Sequence, residues 1–285
     1  MRQTRSRSTH RWIQKFKDHT SVQSRDSLVV EEPMEIRLVF PHLPEPVSVA
    51  VTMRTPGNDF ELAAGFLFTE GILTSIDDVE TITYCHHLKL DGEQPYNIVN
   101  INLRPGISID LNRLQRNFYT SSSCGVCGKA SLEAVRIRGV APVQSNLTVT
   151  PSTIHRLGET LRQEQKIFDR TGGLHAAGWF DPLGNPLFLR EDVGRHNAVD
   201  KLLGHAFLHK NHSFSNGILM VSGRTSFEIM QKAAVAGIPI VTAISAPSSL
   251  ACDVAKEFNI TLIGFARENR FNVYTGSHRI QDEQS

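Results

Sequence analysis

Two of the four cysteines in this 285-residue chain, Cys124 and Cys127, stand three positions apart in the stretch SSSCGVCG, residues 121–128. Sulfurs at that spacing can hold a metal together, close a disulfide, or pass a sulfur atom between two other molecules. Zinc needs four protein ligands in a closed site, or three and a water in a catalytic one. There is no second CxxC to complete such a set, and only His175 and His196 could add to it. A zinc deaminase carries a His-x-Glu whose glutamate moves the proton, followed later by Pro-Cys-x-x-Cys. Here Ala177 holds the place of that glutamate, Ser123 precedes Cys124, and the cysteines come before His175, so the general acid/base is missing. A dithiol oxidoreductase of thioredoxin type sets its CxxC directly after an early strand of a small βαβ unit. This pair instead lies mid-chain behind three serines, between Gly125 and Gly128.

Sulfur relay makes different demands. A thiolate attacks the outer sulfur of a donor persulfide by the substitution that governs thiol–disulfide exchange, and then carries the persulfide to an acceptor. The carrying cysteine must be exposed, deprotonated near neutral pH and able to visit both partners. Residues 129–137, KASLEAVRI, read as a helix, and the serines before it suit an N-cap. The positive end of that helix dipole would favour a thiolate at its start. The second cysteine can steady the first or drive release by closing a disulfide. Cys85, in TITYC, and Cys252, in SLACDVAKEF, read as small buried hydrophobes.

Composition narrows the classes. Lys and Arg number 30 against 29 Asp and Glu, so the net charge is +1 and no nucleic-acid or membrane partner is indicated. Forty per cent of the residues are hydrophobic, enough to bury a sizeable core, and no apolar run reaches the ~18 residues that span a bilayer. Residues 1–26 are basic and lack an apolar signal core, which reads as a disordered tail. Four cysteines without a secretory signal point to reduced thiols, hence the cytoplasm.

The elements that must position the pair follow from hydrophobic spacing. Residues 28–30, 35–40, 48–54, 79–85 and 96–103 read as strands, giving a β-rich, antiparallel-looking part over 27–120. A helix begins at Gly57 and Asn58, with Phe60, Ala63, Ala64 and Leu67 on one face, and stops at Gly71. Residues 121–150 form a mobile cysteine-bearing segment and its helix. Pro151 and Ser152 open a helix running to Phe168. Strand and helix then alternate over 151–277, with strands as apolar as ILMV and IPIVTAI, the mark of an α/β layer with a mostly parallel sheet.

Ligands of such sheets sit beyond the carboxyl ends of the strands. Three ends run into SGRTS (222–226), SAPSS (245–249) and GFARENR (264–270), supplying hydroxyls, helix-start N–H groups and arginines suited to a phosphate-bearing ligand. Neither GxxxxGK[ST] nor GxGxxG is present. A further polar cluster, Asp192, Arg195, His196 and Asn197, stands at a helix entrance, where it reads equally as a salt-bridged cap.

The stretches RTPGNDFELAAGFLFTEGI (54–72), SSSCGVCG, TGGLHAA (171–177), REDVGRHNAVDKLLG (190–204), SGRTSFEIMQKAAVAGIP (222–239), SAPSSLA and TLIGFAR occur in this order, and by them the chain resembles the FdhD/NarQ family over about residues 28–275. The resemblance implies a cytidine-deaminase-like three-layer α/β fold without the zinc site, a homodimer, and no metal ligands. It implies a sulfurtransferase for formate dehydrogenase maturation, which accepts sulfur from a cysteine desulfurase and passes it to the molybdenum cofactor. That cofactor is the bis(molybdopterin guanine dinucleotide) form, which a guanine nucleotide would mimic, and the transfer precedes insertion into the formate dehydrogenase apoenzyme. Cys124 takes the persulfide-carrying place and Cys127 the assisting one. The family's cofactor segment falls on Phe265, Ala266, Arg267, Glu268, Asn269 and Arg270. Arg195, His196 and Arg224 are weaker candidates, and His175 is expected to be structural. The alternatives are a chaperone that only cradles the cofactor, and a zinc hydrolase.

Overall fold

The computed structural model describes residues 6–85, 96–107, 109, 139–210 and 213–281. Cys124, Cys127 and the helix expected after them lie outside the described residues.

The C-terminal part is built on a six-stranded sheet. Its strands are β7 (His175–Phe180), β8 (Pro186–Asp192), β9 (Ile218–Val221), β10 (Ile240–Ala243), β11 (Thr261–Arg267) and β12 (Arg270–Thr275), in the order β12-β11-β10-β9-β7-β8. Alternate side chains leave opposite faces of each strand. Trp179, Leu219, Val221, Val241 and Leu262 meet helices α3 (Arg195–His209), α4 (Phe227–Val235) and α5 (Ser249–Glu257) on one face. Phe180, Ile218, Met220, Ile240 and Ile263 meet α2 (Pro151–Glu164) on the other. The result is the expected three-layer α/β arrangement. The sheet itself is mixed: β9-β10-β11 run parallel, while β7-β8, β7-β9 and β11-β12 are antiparallel. Residues 270–275 alternate exposed and half-buried side chains, a pattern of β12 that the apolar runs of its neighbours overshadowed.

A second layer pair precedes it. Strands β3 (Glu32–Val39), β4 (Val47–Arg54), β5 (Val79–Tyr84) and β6 (Ile98–Leu103) form a sheet of order β4-β3-β6-β5, covered on one face by α1 (Asp59–Thr69). The antiparallel expectation fails at its centre. β3 and β6 pair in parallel, because the chain crosses over through β4, α1 and β5 before β6 enters beside β3.

Two further expectations are corrected. The basic tail is not disordered over its described part: β1 (Ser8–Lys17) and β2 (Thr20–Val29) form a hairpin in continuous antiparallel register. Asp18 takes φ +52 at the two-residue turn, a conformation aspartate tolerates better than most residues. Composition hid the alternation of Trp12, Gln14 and Phe16 opposite Arg25, Gln23 and Ser21. The helix from Pro151 ends at Glu164 rather than at Phe168. There Gln165 leaves the helical range, and the carboxylate of Glu191 accepts from the N–H groups of Ile167 and Phe168, which start a separate turn over Phe168–Thr171.

The two layer pairs are joined at a helix crossing without side chains between the backbones. A Cβ on Gly65 of α1 would lie 1.8 Å from the carbonyl oxygen of Asp200, and one on Gly204 of α3 would lie 1.8 Å from that of Glu61. Only glycine admits this approach.

Candidate functional site

The loops after β9, β10 and β11 are stitched together by main-chain hydrogen bonds. The N–H of Ile244 donates to the carbonyl of Val221, that of Ser248 to Thr225, and that of Phe265 to Ser245. Residues 222–226, 245–249 and 264–265 therefore converge on one edge, as expected from the strand ends.

Their chemistry is unequal. Ser248 caps α5 by accepting from the N–H of Ala251 at 3.2 Å, which is ordinary capping. Ser222 is engaged with β7, its hydroxyl accepting from the N–H of Ala176 at 2.9 Å. Ser226 stands at the N-cap of α4 but does not cap it. Its hydroxyl lies 3.0 Å from Nε2 of His196, whose Nδ1 is 3.1 Å from the carboxylate of Glu228. Burial, reinforced by Arg195, Lys232 and His175, pushes His196 down to about 3, so its ring is neutral at physiological pH. Gly194 at the start of α3 also has no side-chain cap.

Two buried polar atoms at this edge, Nε of Arg195 and the hydroxyl of Thr225, have no hydrogen-bond partner among the described residues. A buried donor without a partner costs free energy of about 1–3 kcal/mol, so such atoms mark a place for a ligand or water. Arg224 is exposed beside them. His175, expected to be structural, faces the same edge: a Cβ on Gly223 would lie 3.3 Å from its Nδ1. Burial first, then the charge of Arg195, lowers its pKa.

The segment 265–270 is the end of β11, a two-residue turn and the start of β12. Phe265 takes φ +54 at a β-bulge and is exposed, so its ring projects from the edge. Ala266 is turned inward and packed under α2, which leaves only its main chain for a ligand. Arg267, Glu268, Asn269 and Arg270 are exposed at the hairpin tip. The carbonyl of Arg267 is tied to His155 of α2, on the sheet face away from α4. The segment thus divides, with Phe265 beside the 245–249 loop and the tip extending past it.

Asp192 and Asn197 belong to the frame rather than to the open edge. Asp192 is fully buried, pairs with Lys201 at 2.6 Å and accepts from the N–H groups of Thr55 and Gly194 and from Asn197. It fixes the start of α3 against the β4–α1 connection and so holds Arg195 and His196 at the edge, both partly buried. Sequence reading missed Glu228 and the non-capping role of Ser226, since 30 residues separate Ser226 from the histidine that claims its hydroxyl. Cys85 and Cys252 are half-buried, not enclosed, and burial raises the Cys252 thiol above its ordinary value. Among the described residues, no helix is long and apolar enough to cross a membrane and no group of three or more His, Cys, Asp or Glu is placed to hold a metal.

These features define a three-layer α/β protein with a polar, arginine-bearing strand-end site, framed by a second, glycine-locked β layer. The chain belongs to the FdhD/NarQ family, whose model matches residues 29–281. It is 51% identical over 257 residues to a sulfur carrier protein FdhD of Streptomyces coelicolor, covering 90% of this chain and 89% of that one. It is 45% identical over 277 residues to the protein of that name from Mycobacterium tuberculosis, covering 96% and 98%, and 42% identical over 266 residues to that from Saccharolobus solfataricus, covering 93% and 95%. A crystal structure described as a formate dehydrogenase accessory protein from Desulfotalea psychrophila superposes with a TM-score of 0.74 at 23% identity, covering 97% of this chain and all of that one, and shares the fold.

Proposed function

We propose that this chain is a sulfur carrier in the maturation of formate dehydrogenase. Cys124 receives sulfur from a cysteine desulfurase: its thiolate attacks the outer sulfur of the donor's persulfide, the donor leaves as thiolate, and Cys124 holds the new persulfide. Cys127 steadies that persulfide or assists its release. The acceptor is the molybdenum cofactor in its bis(molybdopterin guanine dinucleotide) form, handed on to the formate dehydrogenase apoenzyme. The protein works as a homodimer in the cytoplasm and acts as a sulfurtransferase.

Membership of the family over residues 29–281, with relatives named as sulfur carriers, is the observation that carries this reading. The strand-end site supports the acceptor's identity. A dinucleotide cofactor is anionic, and the unpartnered Arg195 Nε and Thr225 hydroxyl, the uncapped starts of α3 and α4, and exposed Arg224 are donors of the kind that phosphates engage. Phe265 offers a ring at the same edge, and the main chain of Ala266 with Arg267, Glu268, Asn269 and Arg270 continues it.

The test is intact-mass measurement after incubation with a cysteine desulfurase and cysteine. One reductant-labile sulfur is expected on the wild-type chain and none on Cys124→Ala. A Cys124→Ala chain that still restores formate dehydrogenase would replace the carrier by a cofactor chaperone, the reading that the strand-end site alone would support.

A further inference from the structure

The β1–β2 hairpin gathers apolar surface that its own chain does not use. Its two ten-residue strands and two-residue turn, Ser8–Val29, hold four of the ten large hydrophobic side chains exposed among the described residues: Trp12 at 72%, Phe16 at 74%, Val22 and Leu28. Side chains alternate between the faces of a strand, so Trp12 and Phe16 share one face with Arg25, which stands opposite Trp12, while Arg11, Lys15 and Lys17 line the other. The base of the hairpin is held: the N–H of Val30 donates to the carbonyl of Arg7, whose guanidinium donates to Asn58. Two aromatic rings kept in water on an anchored ribbon mark a protein contact.

Charge decides which surface the hairpin meets. Residues 1–29 carry seven Arg and Lys against two Asp, which leaves 23 Arg and Lys against 27 Asp and Glu on residues 30–285. Arm and body thus have opposite net charge. Two arms repel each other and so do two bodies, whereas the arm of one copy is drawn to the body of another. The same acidic body works against a nucleic acid or an anionic bilayer as partner. The body also offers a matching seat. Phe68 of α1 and Phe207 of α3 stack with ring centroids 5.1 Å apart and, with Phe214 and Ile76, line a groove of about 450 Å³. Thr74 and Asp77 stand at its rim. Lys210 offsets Asp77, but Asp78 and Glu80 add acid beyond it on the way into β5.

We propose that the β1–β2 hairpin is an arm that docks on a second copy of this chain, seating Trp12 and Phe16 in the groove between α1, α3 and the entry to β5. The exchange is reciprocal, each copy giving an arm and receiving one, so the contact closes on a two-fold axis and does not propagate. Each side then comprises an arm and a groove rim, the ~20–30 residues of a stable interface. Arg25, on the aromatic face, meets the acids at the rim, and Arg11, Lys15 and Lys17 on the outer face steer the approach. The inference rests on the homodimer in the reading above and adds which surfaces form it.

Trp179, the only other tryptophan, is 2% exposed, so emission that acrylamide quenches reports on Trp12. The full-length chain is followed by sedimentation velocity and by acrylamide quenching over rising concentration. A dimer should form, and Trp12 should become shielded as it does. Trp12→Ser with Phe16→Ser should weaken association ~30-fold or more, the loss expected for a buried aromatic anchor. Thr74→Arg, which puts a bulky cation at the groove rim, should weaken it ~10-fold in the wild-type chain and add little in the arm variant, since both changes remove one contact. All three side chains are exposed, so the variants should keep the wild-type urea midpoint at dilutions where the wild type is monomeric. The proposal is overturned, and the homodimer kept, if a dimer forms with Trp12 still quenchable or if either variant leaves association unchanged. Shielding of Trp12 only on addition of RNA or of anionic phospholipid vesicles also overturns it and assigns the arm to that partner. A chain that stays monomeric at every concentration overturns it together with the homodimer.

Discussion

His196 is a partly buried, neutral histidine at the edge of the site, and its charge state has a thermodynamic consequence. In the unfolded chain a histidine takes up a proton below about pH 6.5, whereas in the fold His196 resists protonation down to about pH 3. Between those values the unfolded state binds the extra proton. Stability is therefore retained above pH 6.5 and lost as pH falls through the window, by up to ~1.4 kcal/mol per unit. Denaturant melts at pH 7.5 and 5.0 should show His196→Gln losing about 2 kcal/mol less than wild type on acidification. Equal acid sensitivity would place the imidazole in water. Asp192 supports a second expectation. Lys201→Met strands its carboxylate in the core and should cost about 3–5 kcal/mol in urea unfolding at pH 7.5. The double change with Asp192→Leu should not recover the loss. Replacing both ions removes the charge, but the N–H groups of Thr55 and Gly194 lose their acceptor as well.

At the scale of elements, the crossing of α1 and α3 is set by two glycines whose added Cβ atoms would meet backbone carbonyls. No rotamer relieves such a contact, so the helices must part. Gly65→Ala and Gly204→Ala should each cost about 3 kcal/mol, read from the urea midpoint, although alanine is the better helix former by nearly 1 kcal/mol. A stabilised Gly65→Ala chain would mean that the helices do not touch there. The sequence disclosed α1, α3 and the strand–helix alternation after residue 174 because each carries a local period. It did not disclose what depends on partners. The parallel pairing of β3 with β6 joins segments some 60 residues apart, and the glycines of α1 and α3 read as ordinary tolerated positions within helices. The site was legible in the same measure. Turns at strand ends announced a polar edge, but which serine caps its helix and which bonds to His196 depended on a residue supplied by a different element. The cysteine pair, the plainest chemical signal in the sequence, needed no fold to be noticed.

At the scale of the whole molecule, the hairpin β1–β2 adds little to the core of the described residues. The three buried hydrophobic clusters contain none of its residues, and Trp12 and Phe16 are 72% and 74% exposed. It is fastened at its base by Arg7, which donates to the side chain of Asn58 at 2.7 Å, and by Val29 packed on Gly173. A chain beginning at residue 30 should lose about 1 kcal/mol for that hydrogen bond and melt only ~2–4 °C lower by calorimetry. A larger fall would show that the hairpin covers core. The two sheets beyond it are coupled much more strongly. The N–H and carbonyl of Thr55 bind Asp192 and Lys201, and the hydroxyl of Thr69 bridges Asp200 and Lys232, all between the first layer pair and the second. Burial alone would depress Lys232, but Asp200, Glu70 and Glu228 outweigh it and hold the ammonium charged. If one sheet unfolded, its neighbour would be left with buried charges stripped of their partners and an α3 face cut for a helix no longer there. Each such charge costs about 3–5 kcal/mol, comparable to the stability of a domain. The chain should therefore unfold in one calorimetric transition, with calorimetric and van't Hoff enthalpies in agreement, despite having two sheets and separate hydrophobic clusters. Thr69→Val removes the hydroxyl bridge while keeping the volume and should leave a single transition at lower temperature. Two resolved transitions in the wild-type chain would show that the buried ions do not join the sheets into one cooperative unit.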